Sequence, residues 1–313
     1  MTENAEQYTD DGTSPGTKAA VAVIIGRPSS GKSTFLNTVC GEKVSIVSET
    51  PQTTRNAVRG IINSPRGQIV FIDTPGYHDS EKKLNLKLKA VAEEHLREAD
   101  ALLYIIDSSR VPGREEELVA SLIESFSAKT VVAVNKIDRP ESDTQAIRDF
   151  LSGHLPGIPS ERIAEISAEK NIHTESVISL LFDIAPEGEP LYPAEYYTDQ
   201  AVDFRIAEII REKAIRATRD EIPHALYVEI SDLEQRRNGK ELWVRAFLVV
   251  ERESQKGIVI GKGASVIKEI RTSAQKELNR IFPWYVSLDL QVRVNRNWRQ
   301  KDPLIGRLTG MTR

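Results

Sequence analysis

Cysteine is almost missing from this sequence, since its 313 residues include only Cys40. A single cysteine cannot form an intrachain disulfide, which excludes a disulfide-stapled secreted fold and fits a reducing compartment. Long apolar runs are missing as well, and the longest, such as residues 21–25, fall far short of the roughly 18 residues that span a bilayer. The five histidines have no metal-ligand spacing, so the sequence predicts no zinc site.

Basic residues are missing from the N-terminus, where residues 1–16 contain four acidic residues. This composition excludes a signal or transit peptide. We expect residues 1–17 to form a disordered arm and the protein to be cytoplasmic, without a transmembrane segment. The rest of the charge is uneven: residues 200–313 contain 22 Lys+Arg against 15 Asp+Glu, although the whole chain has a net charge of −4. A basic C-terminal half favours a polyanionic partner, although basic faces are often only solvated.

Short β-branched runs alternate with helical patterns from about Lys18 onward. Such alternation predicts an α/β domain, with a mostly parallel six-stranded sheet and helices on both faces. Proline and glycine at residues 186–190 predict a boundary. We therefore expect this domain over residues 18–186, a linker over 187–201 and a second, α+β domain over 202–313. The six runs are VAVII, AVRGII, QIVFID, ALLYIID, TVVAVN and RIAEIS.

The segment from Gly26 to Ser33 reads G-R-P-S-S-G-K-S, follows the first run and opens a helical pattern. This is the context that a phosphate-binding P-loop requires, the alternative being an ordinary glycine-rich turn. Backbone N–H groups and the helix N-terminus attract phosphates, Lys32 can reach the β and γ oxygens, and the Ser33 hydroxyl can bind Mg²⁺. The candidate phosphate-binding residues are Gly26, Arg27, Pro28, Ser29, Ser30, Gly31, Lys32, Ser33 and Thr34.

Two other motifs lie after later runs of the same predicted sheet. Asp73-Thr74-Pro75-Gly76 ends QIVFID, where the Asp73 carboxylate can hold Mg²⁺ through water and the Gly76 N–H can sense the γ-phosphate. This tetrapeptide is also common turn chemistry. Ser167 and Ala168 follow the last run, where the Ala168 N–H can contact guanine O6.

The motif N-K-I-D at residues 135–138 predicts the choice of base. Asp138 offers two acceptor oxygens that match the N1–H and N2–H₂ donors of guanine, a pair that adenine lacks. Lys136 can lie along the base while Asn135 ties this loop to the P-loop. The alternative is a cap before the next helix. We expect GTP or GDP to bind, and ATP to bind poorly.

Together these motifs resemble those of the translation-factor-like GTPases, and P-Q-T-T-R at residues 51–55 is similar to the switch I element of the Era family. The resemblance implies that Thr54 coordinates Mg²⁺ in the GTP state, with Thr53 as the lesser candidate. It assigns the metal to Ser33, Thr54 and Asp73, and catalysis to Lys32, Thr54 and Gly76.

Hydrolysis is expected to be slow. Tyr77 occupies the position where Ras-like enzymes have a water-orienting Gln, and the Era resemblance implies that a partner must order the switches. Arg27 and Arg55 are expected to be solvated bystanders. The family P-loop usually reads G-x-P-N-x-G-K-S, and its Asn helps to hold K⁺ in the potassium-activated relatives. Here Ser29 takes that place, so we expect weaker K⁺ activation.

The segment from Gly257 to Ile270 resembles the core of a KH domain, in which a G-x-x-G turn between two helices meets unpaired RNA. In this chain the turn is Gly261-Lys262-Gly263-Ala264, with alanine as its last residue; alanine starts a helix well and adds only a methyl group. The predicted element order is that of the type II KH arrangement, and the alternative is a structural helix-turn-helix. The RNA-binding candidates are Gly257, Ile260, Gly261, Lys262, Gly263, Ala264 and Lys268.

A basic tail follows the last predicted strand, where Arg296 and Trp298 are further RNA-binding candidates, the tryptophan by stacking on a base. The alternative is a solvated amphipathic strand. The Era resemblance implies a monomer that binds the 3′ end of 16S ribosomal RNA, acts in 30S subunit assembly and visits the inner membrane surface. Two other hypotheses stay open: an RNA-binding scaffold that only senses GTP, and a GTPase whose C-terminal module binds protein.

Overall fold

The computed structural model describes residues 16–47, 57–74, 95–301, 303, 304 and 306. They belong to two compact units, the first built from residues 16–44, 58–74 and 95–199 and the second mainly from residues 200–306. The predicted switch I segment, the end of the D-T-P-G motif and residues 1–15 of the predicted N-terminal arm lie outside the described residues, so these stay predictions.

The first unit is an α/β fold around one six-stranded sheet with the order β2-β3-β1-β4-β5-β6. Only β2 runs antiparallel to its neighbour, through a turn at residues 65–66. The predicted mostly parallel sheet is therefore confirmed. The strands are β1 Lys18–Ile25, β2 Val58–Ser64, β3 Gly67–Asp73, β4 Ala101–Asp107, β5 Thr130–Asn135 and β6 Ile163–Ile166. The helices are α1 Lys32–Cys40, α2 Arg114–Ile123, α3 Thr144–His154 and α4 Thr174–Ile184.

The centre of the sheet is covered on both faces. Every residue of β3, β4 and β5 is buried, although successive side chains of a strand point to opposite faces. Because β1, β4 and β5 are parallel neighbours, their carboxyl ends meet at one edge of the sheet. That edge collects Gly26, Asp107 and Asn135, and a polar site is expected there.

Part of the predicted linker packs on the first unit. The Gln68 side chain in β3 accepts hydrogen bonds from the N–H groups of Leu191 and Tyr192, at 2.8 and 2.9 Å. The N–H of Ile61 in β2 donates to the Tyr197 carbonyl at 2.9 Å. The Ile61 contact covers a backbone donor of the edge strand β2, which would otherwise be open to pairing with another chain.

The second unit has one three-stranded sheet, in which β8 pairs antiparallel with β7 and parallel with β9. Alternate β8 residues from Leu242 to Val250 face α5 and α8 in one apolar core. The helix, strand, strand, helix, helix, strand order is confirmed. The elements are α5 Val202–Ala217, α6 Ile222–Ala225, β7 Tyr227–Arg236, β8 Glu241–Val250, α7 Glu253–Ile260, α8 Ser265–Ile281 and β9 Tyr285–Val294.

Among the residues that the structure describes, no helix has the length and hydrophobicity needed to cross a membrane. In the same part of the chain, no three His, Cys, Asp or Glu side chains cluster as metal ligands.

Candidate nucleotide and RNA sites

The P-loop follows β1 as a tight turn in left-handed conformations. Gly26, Ser29 and Gly31 have φ values of 155, 62 and 104°. A Cβ atom at Gly26 would lie 2.3 Å from the Ile105 carbonyl oxygen, and one at Gly31 would lie 2.1 Å from the Asn135 side-chain nitrogen. Both glycines are therefore required by close approach as well as by φ.

Helix α1 begins at the end of this turn and presents its N-terminus to it. Its N-cap, Gly31, provides no side-chain cap, so the first N–H groups of the helix, from Lys32 to the half-buried Thr34, keep their capacity to bind an anion. Lys32 Nζ donates to the carbonyls of Gly26 and Arg27, at 2.9 and 2.8 Å. Burial lowers the pKa of Lys32 to about 8, against the raising effect of nearby Asp73. The ammonium group is thus held within the P-loop by two of the loop's own carbonyls.

Ser33 and Asp73 form the candidate metal site. The Ser33 hydroxyl donates to Asp73 Oδ2 at 2.6 Å, and the aspartate side chain is buried at the carboxyl end of β3. Thr74 turns inward, where its hydroxyl donates to the Ile24 carbonyl at 2.8 Å. A hydroxyl and a carboxylate are the hard oxygen ligands that Mg²⁺ prefers, so these residues fit the ion. Thr53, Thr54, Pro75 and Gly76 lie outside the described residues.

Asn135 connects three segments of the site. Its side-chain Nδ2 donates to the Ser30 carbonyl at 2.9 Å, and its Oδ1 accepts from the Ala168 N–H at 2.9 Å. The predicted tie between this loop and the P-loop is therefore present. The Ala168 N–H thus has Asn135 as its partner, and the Ala168 carbonyl accepts a hydrogen bond from the Thr38 hydroxyl. The predicted contact of the Ala168 N–H with guanine O6 stays a prediction.

We call residues 135–138 the guanine loop after their predicted role, and its Lys136 has a left-handed conformation at φ 70°. Its Nζ donates to the Ser29 carbonyl at 2.9 Å and to Asp107 Oδ2 at 2.6 Å. The Asp138 carboxylate is 13% exposed and lies 4.0 Å from the Arg139 guanidinium. The turn after β6 is closed by reciprocal backbone hydrogen bonds between Ser167 and Ile172.

The structure corrects the prediction for Arg27, which is buried and ion-paired and not a solvated bystander. Its guanidinium lies 3.1 Å from Asp107 Oδ2 and 2.6 Å from Glu116 Oε1. Sequence reasoning missed both carboxylates. Asp107 had the same signal as Asp73, since each is a polar residue that ends a buried strand at the site edge. Glu116 had no such signal, because its contact depends on where α2 packs.

The KH-like turn lies between α7 and α8. Gly261 and Gly263 have φ values of 74 and 60°, and the Lys262 side chain between them is exposed. A Cβ at Gly261 would lie 2.6 Å from Val266 Cγ2, whereas one at Gly263 would meet nothing within 4 Å. Thus Gly263 lies in open space that a ligand backbone can approach. The other candidates around the turn are Gly257 and Lys268, which are exposed, and Ile260, which is half-buried.

Ala264 does not start the helix as expected. It precedes α8 with φ 60° and ψ 28°, in the left-handed region that favours glycine. Position 264 therefore has a backbone conformation that glycine, the usual last residue of a G-x-x-G turn, adopts without strain, although alanine occupies it.

The structure also contradicts the prediction that Trp298 stacks on a base. Its side chain is fully buried, its indole N–H donates to the Ala225 carbonyl at 2.9 Å, and its ring packs edge-on against Tyr227. Trp298 closes the sheet face opposite the helices. Arg296 beside it is exposed and stays a candidate RNA contact, whereas Arg299 is paired with Glu251.

The sequence models of two families match this chain. Residues 21–136 match the family described as 50S ribosome-binding GTPase, and residues 221–299 match the KH domain.

Two curated relatives are similar over almost their whole length. GTPase Era of Treponema denticola is 60% identical over 291 residues, which cover 93% of this chain and 99% of the relative. GTPase Era of Treponema pallidum is 46% identical over 316 aligned positions, with 95% and 98% coverage.

Two solved structures are similar over both units, each with a TM-score of 0.87. One is an Aquifex aeolicus Era variant bound to GDP and AlF₄⁻, which is 34% identical and covers 94% of this chain and 99% of its own. The other is Era in complex with MgGDPNP and nucleotides 1506–1542 of 16S ribosomal RNA, which is 35% identical with the same coverage.

Proposed function

The chain belongs to the Era family of GTPases, and from that premise we propose that its GTP state governs how its KH domain holds the 3′ region of 16S ribosomal RNA during 30S subunit assembly. Hydrolysis of GTP is the activity of the family. The observation that supports the nucleotide assignment is the Asn135 side chain, which joins the guanine loop to both the P-loop and the turn after β6. A site assembled from three loops in this way can read base and phosphates together.

The phosphate half of the site is proposed to be the P-loop with the N-terminus of α1. Lys32 can exchange its two carbonyl partners for phosphate oxygens, which are stronger acceptors for an ammonium group. Mg²⁺, when bound with the nucleotide, would neutralise charge on the β and γ oxygens. Ser33 and Asp73 would hold it, because their oxygens already lie 2.6 Å apart.

The base half is proposed to depend on Asp138. Its carboxylate is nearly buried, so an unmatched acceptor pair would lose hydration without compensation, and a base without the two guanine donors would be rejected. Asn135 and Lys136 hold this loop against the P-loop, because their side chains donate hydrogen bonds to the carbonyls of Ser30 and Ser29.

The RNA site is proposed to be the turn Gly261–Ala264 with the exposed cations Lys262 and Lys268. The open space at Gly263 supports close approach of a sugar-phosphate backbone, which is how KH turns meet unpaired nucleotides. The relative solved with nucleotides 1506–1542 of 16S ribosomal RNA supports this class of ligand.

Calorimetric titration with GDP, GTP and xanthosine diphosphate tests the nucleotide site. We expect Lys32→Ala to weaken GDP binding by at least about tenfold, because it removes charge-assisted hydrogen bonds. Asp138→Asn should weaken it by more than about 100-fold and favour xanthine. Asp149→Asn, an exposed carboxylate on α3, is the control. Unchanged GDP affinity in Asp138→Asn would remove the base assignment.

Binding of a 16S 3′ fragment, measured at several salt concentrations with GTP or GDP present, tests the RNA site. The double variant Lys262→Glu, Gly263→Asp should lose RNA binding and keep GTP binding. Lys262→Glu alone should already weaken RNA binding, and Lys276→Glu, an exposed residue farther along α8, is its charge-matched control. Phosphate release measured with and without the RNA decides whether RNA stimulates hydrolysis; no stimulation would favour the sensor scaffold, and RNA affinity that is equal with GTP and GDP would reject control by nucleotide.

A further inference from the structure

We infer that Asp107 is a positioning residue that couples the phosphate-binding loop to the guanine loop, because one of its carboxylate oxygens holds Arg27 and Lys136 together. This inference rests on the proposed assignment of these two loops to GTP. It extends that assignment by naming a second residue, besides Asn135, through which the two loops are joined.

The geometry centres on Asp107 Oδ2. It lies 3.1 Å from the Arg27 guanidinium and 2.6 Å from Lys136 Nζ. The other oxygen, Oδ1, accepts from the Ser109 N–H at 3.0 Å and from its hydroxyl at 2.6 Å. Ser109 therefore holds the carboxylate in one orientation through Oδ1, while Oδ2 bridges the two cations Arg27 and Lys136.

The sheet explains why one carboxylate reaches both loops. Strand β4 lies between β1 and β5, and these two neighbours carry the P-loop and the guanine loop at their ends. Asp107 is the last residue of β4 and is in register with Asn135 of β5. A side chain at the end of the middle strand can contact both flanking loops.

Charge makes the bridge specific to a carboxylate. The Asp107 side chain is 1% exposed and that of Arg27 8% exposed, so water cannot easily replace the pairing. Burial alone would raise the pKa of Asp107, but hydrogen bonds from Lys136 and Ser109 outweigh it and hold the pKa below its ordinary value. Arg27 keeps Glu116 and Lys136 keeps the Ser29 carbonyl as other partners. The charged link between Arg27 and Lys136 is therefore what a neutral residue at 107 would lose.

The coupling has a consequence for nucleotide exchange. Lys136 is two residues from Asp138, and Arg27 lies between Gly26 and Ser29 in the P-loop. When Asp107 joins the two loops, a guanine loop that moves off the base is held near its bound position by the P-loop. The same holds for a P-loop that moves off the phosphates, which the guanine loop holds in place. Without the bridge the two loops keep the bonds from Asn135 to Ser30 and from Lys136 to Ser29 but lose their charged link. Either loop should then open more easily, and nucleotide should leave faster.

Stopped-flow release of a fluorescent GDP analogue from the full chain tests the inference. We expect Asp107→Asn to accelerate release by about tenfold to 100-fold, the range for loss of a buried charge-assisted hydrogen bond. The same substitution in a Lys136→Met background should have a clearly smaller effect, since the bridge is already broken there. Asp149→Asn should release at the wild-type rate. Thermal unfolding confirms that each variant is folded, and Asp107→Ser replaces Asp107→Asn if the latter shows no cooperative transition.

An equal fold-change in the wild-type and Lys136→Met backgrounds would overturn the inference, because Asp107 would then act independently of Lys136. Unchanged release in Asp107→Asn would overturn it as well. In either case weaker GDP binding by Asp138→Asn would leave the proposed function standing. Wild-type GDP affinity in both Asp138→Asn and Lys32→Ala would show instead that the assignment of the site itself is wrong.

Discussion

Ala264→Gly should stabilise the KH domain by about 1 kcal/mol, because Ala264 occupies a left-handed backbone conformation that glycine adopts without strain. Its φ and ψ are 60 and 28°, which place its Cβ close to the following carbonyl oxygen. A left-handed conformation costs a residue with a Cβ about 1–2 kcal/mol. Glycine also gives the unfolded chain more conformational freedom, which lowers the free energy of unfolding by roughly 0.5 kcal/mol or more. The net increase in the free energy of unfolding is therefore near 1 kcal/mol.

Gly263 provides the matched control one position earlier in the same turn. Its φ and ψ are 60 and 29°, and a Cβ there would meet no atom within 4 Å. Gly263→Ala should therefore lose about what Ala264→Gly gains, through the backbone alone. Gly261→Ala should lose more, since its Cβ would also lie 2.6 Å from Val266 Cγ2.

The assay is thermal or urea unfolding of the full chain, followed by a signal from the tryptophans of the KH domain. A change of 1 kcal/mol shifts the midpoint of a domain of this size by roughly 4 °C or more. Midpoints that move in the same direction for Ala264→Gly and Gly263→Ala would refute the reasoning from φ. RNA binding by Ala264→Gly should be at least as strong as that of the wild type, because the substitution removes a methyl group from the face of the turn.

Three other predictions use simple measurements. Ser29→Asn should raise GTP hydrolysis in K⁺ relative to Na⁺, and a wild-type enzyme with a large K⁺ preference would contradict our view of Ser29. Trp298→Ala should destabilise the KH domain by about 3–5 kcal/mol by leaving a cavity; RNA affinity that falls without loss of folding would restore a stacking role. Burial raises the pKa of Cys40 to about 12, so at pH 8 its thiol should react with Ellman's reagent at least about tenfold more slowly than in unfolded protein, because the lower thiolate fraction outweighs the greater nucleophilicity of that thiolate; equal rates would show that the thiol is not shielded.

Much of the fold and of the nucleotide site could be predicted from the sequence because the relevant signals are local. Each of the six runs forms a strand, and the P-loop and guanine loop follow β1 and β5 directly. Parallel strands bring their carboxyl ends to one edge, so residues at strand ends can be placed together before any packing is known. Asn135 and Ser30 meet in this way.

Packing decided what the sequence could not predict. Arg27 looks solvated in a polar loop, and only the position of α2, which supplies Glu116, makes it buried. Trp298 among arginines looks like a stacking residue. Asn297 adopts a left-handed conformation at φ 54°, turns the chain away from the direction of β9 and directs the indole onto the sheet. Both outcomes depend on contacts between distant segments, which single-sequence patterns do not contain.

The two departures from the family motifs meet the same physical constraint. Ser29 stands where the family P-loop usually has Asn, and Ala264 stands where the KH turn has Gly; both have φ near 60°, at 62 and 60°. Asn and Gly are the residues that tolerate this region best, so each replacement adds strain to a turn that faces a ligand. Strain persists only where surrounding contacts hold the backbone, as the Lys136 bond to the Ser29 carbonyl does in the P-loop. Both turns therefore hold a left-handed residue at a cost in stability, which argues that the contacts around each turn, and not the side chain of residue 29 or 264, determine its conformation.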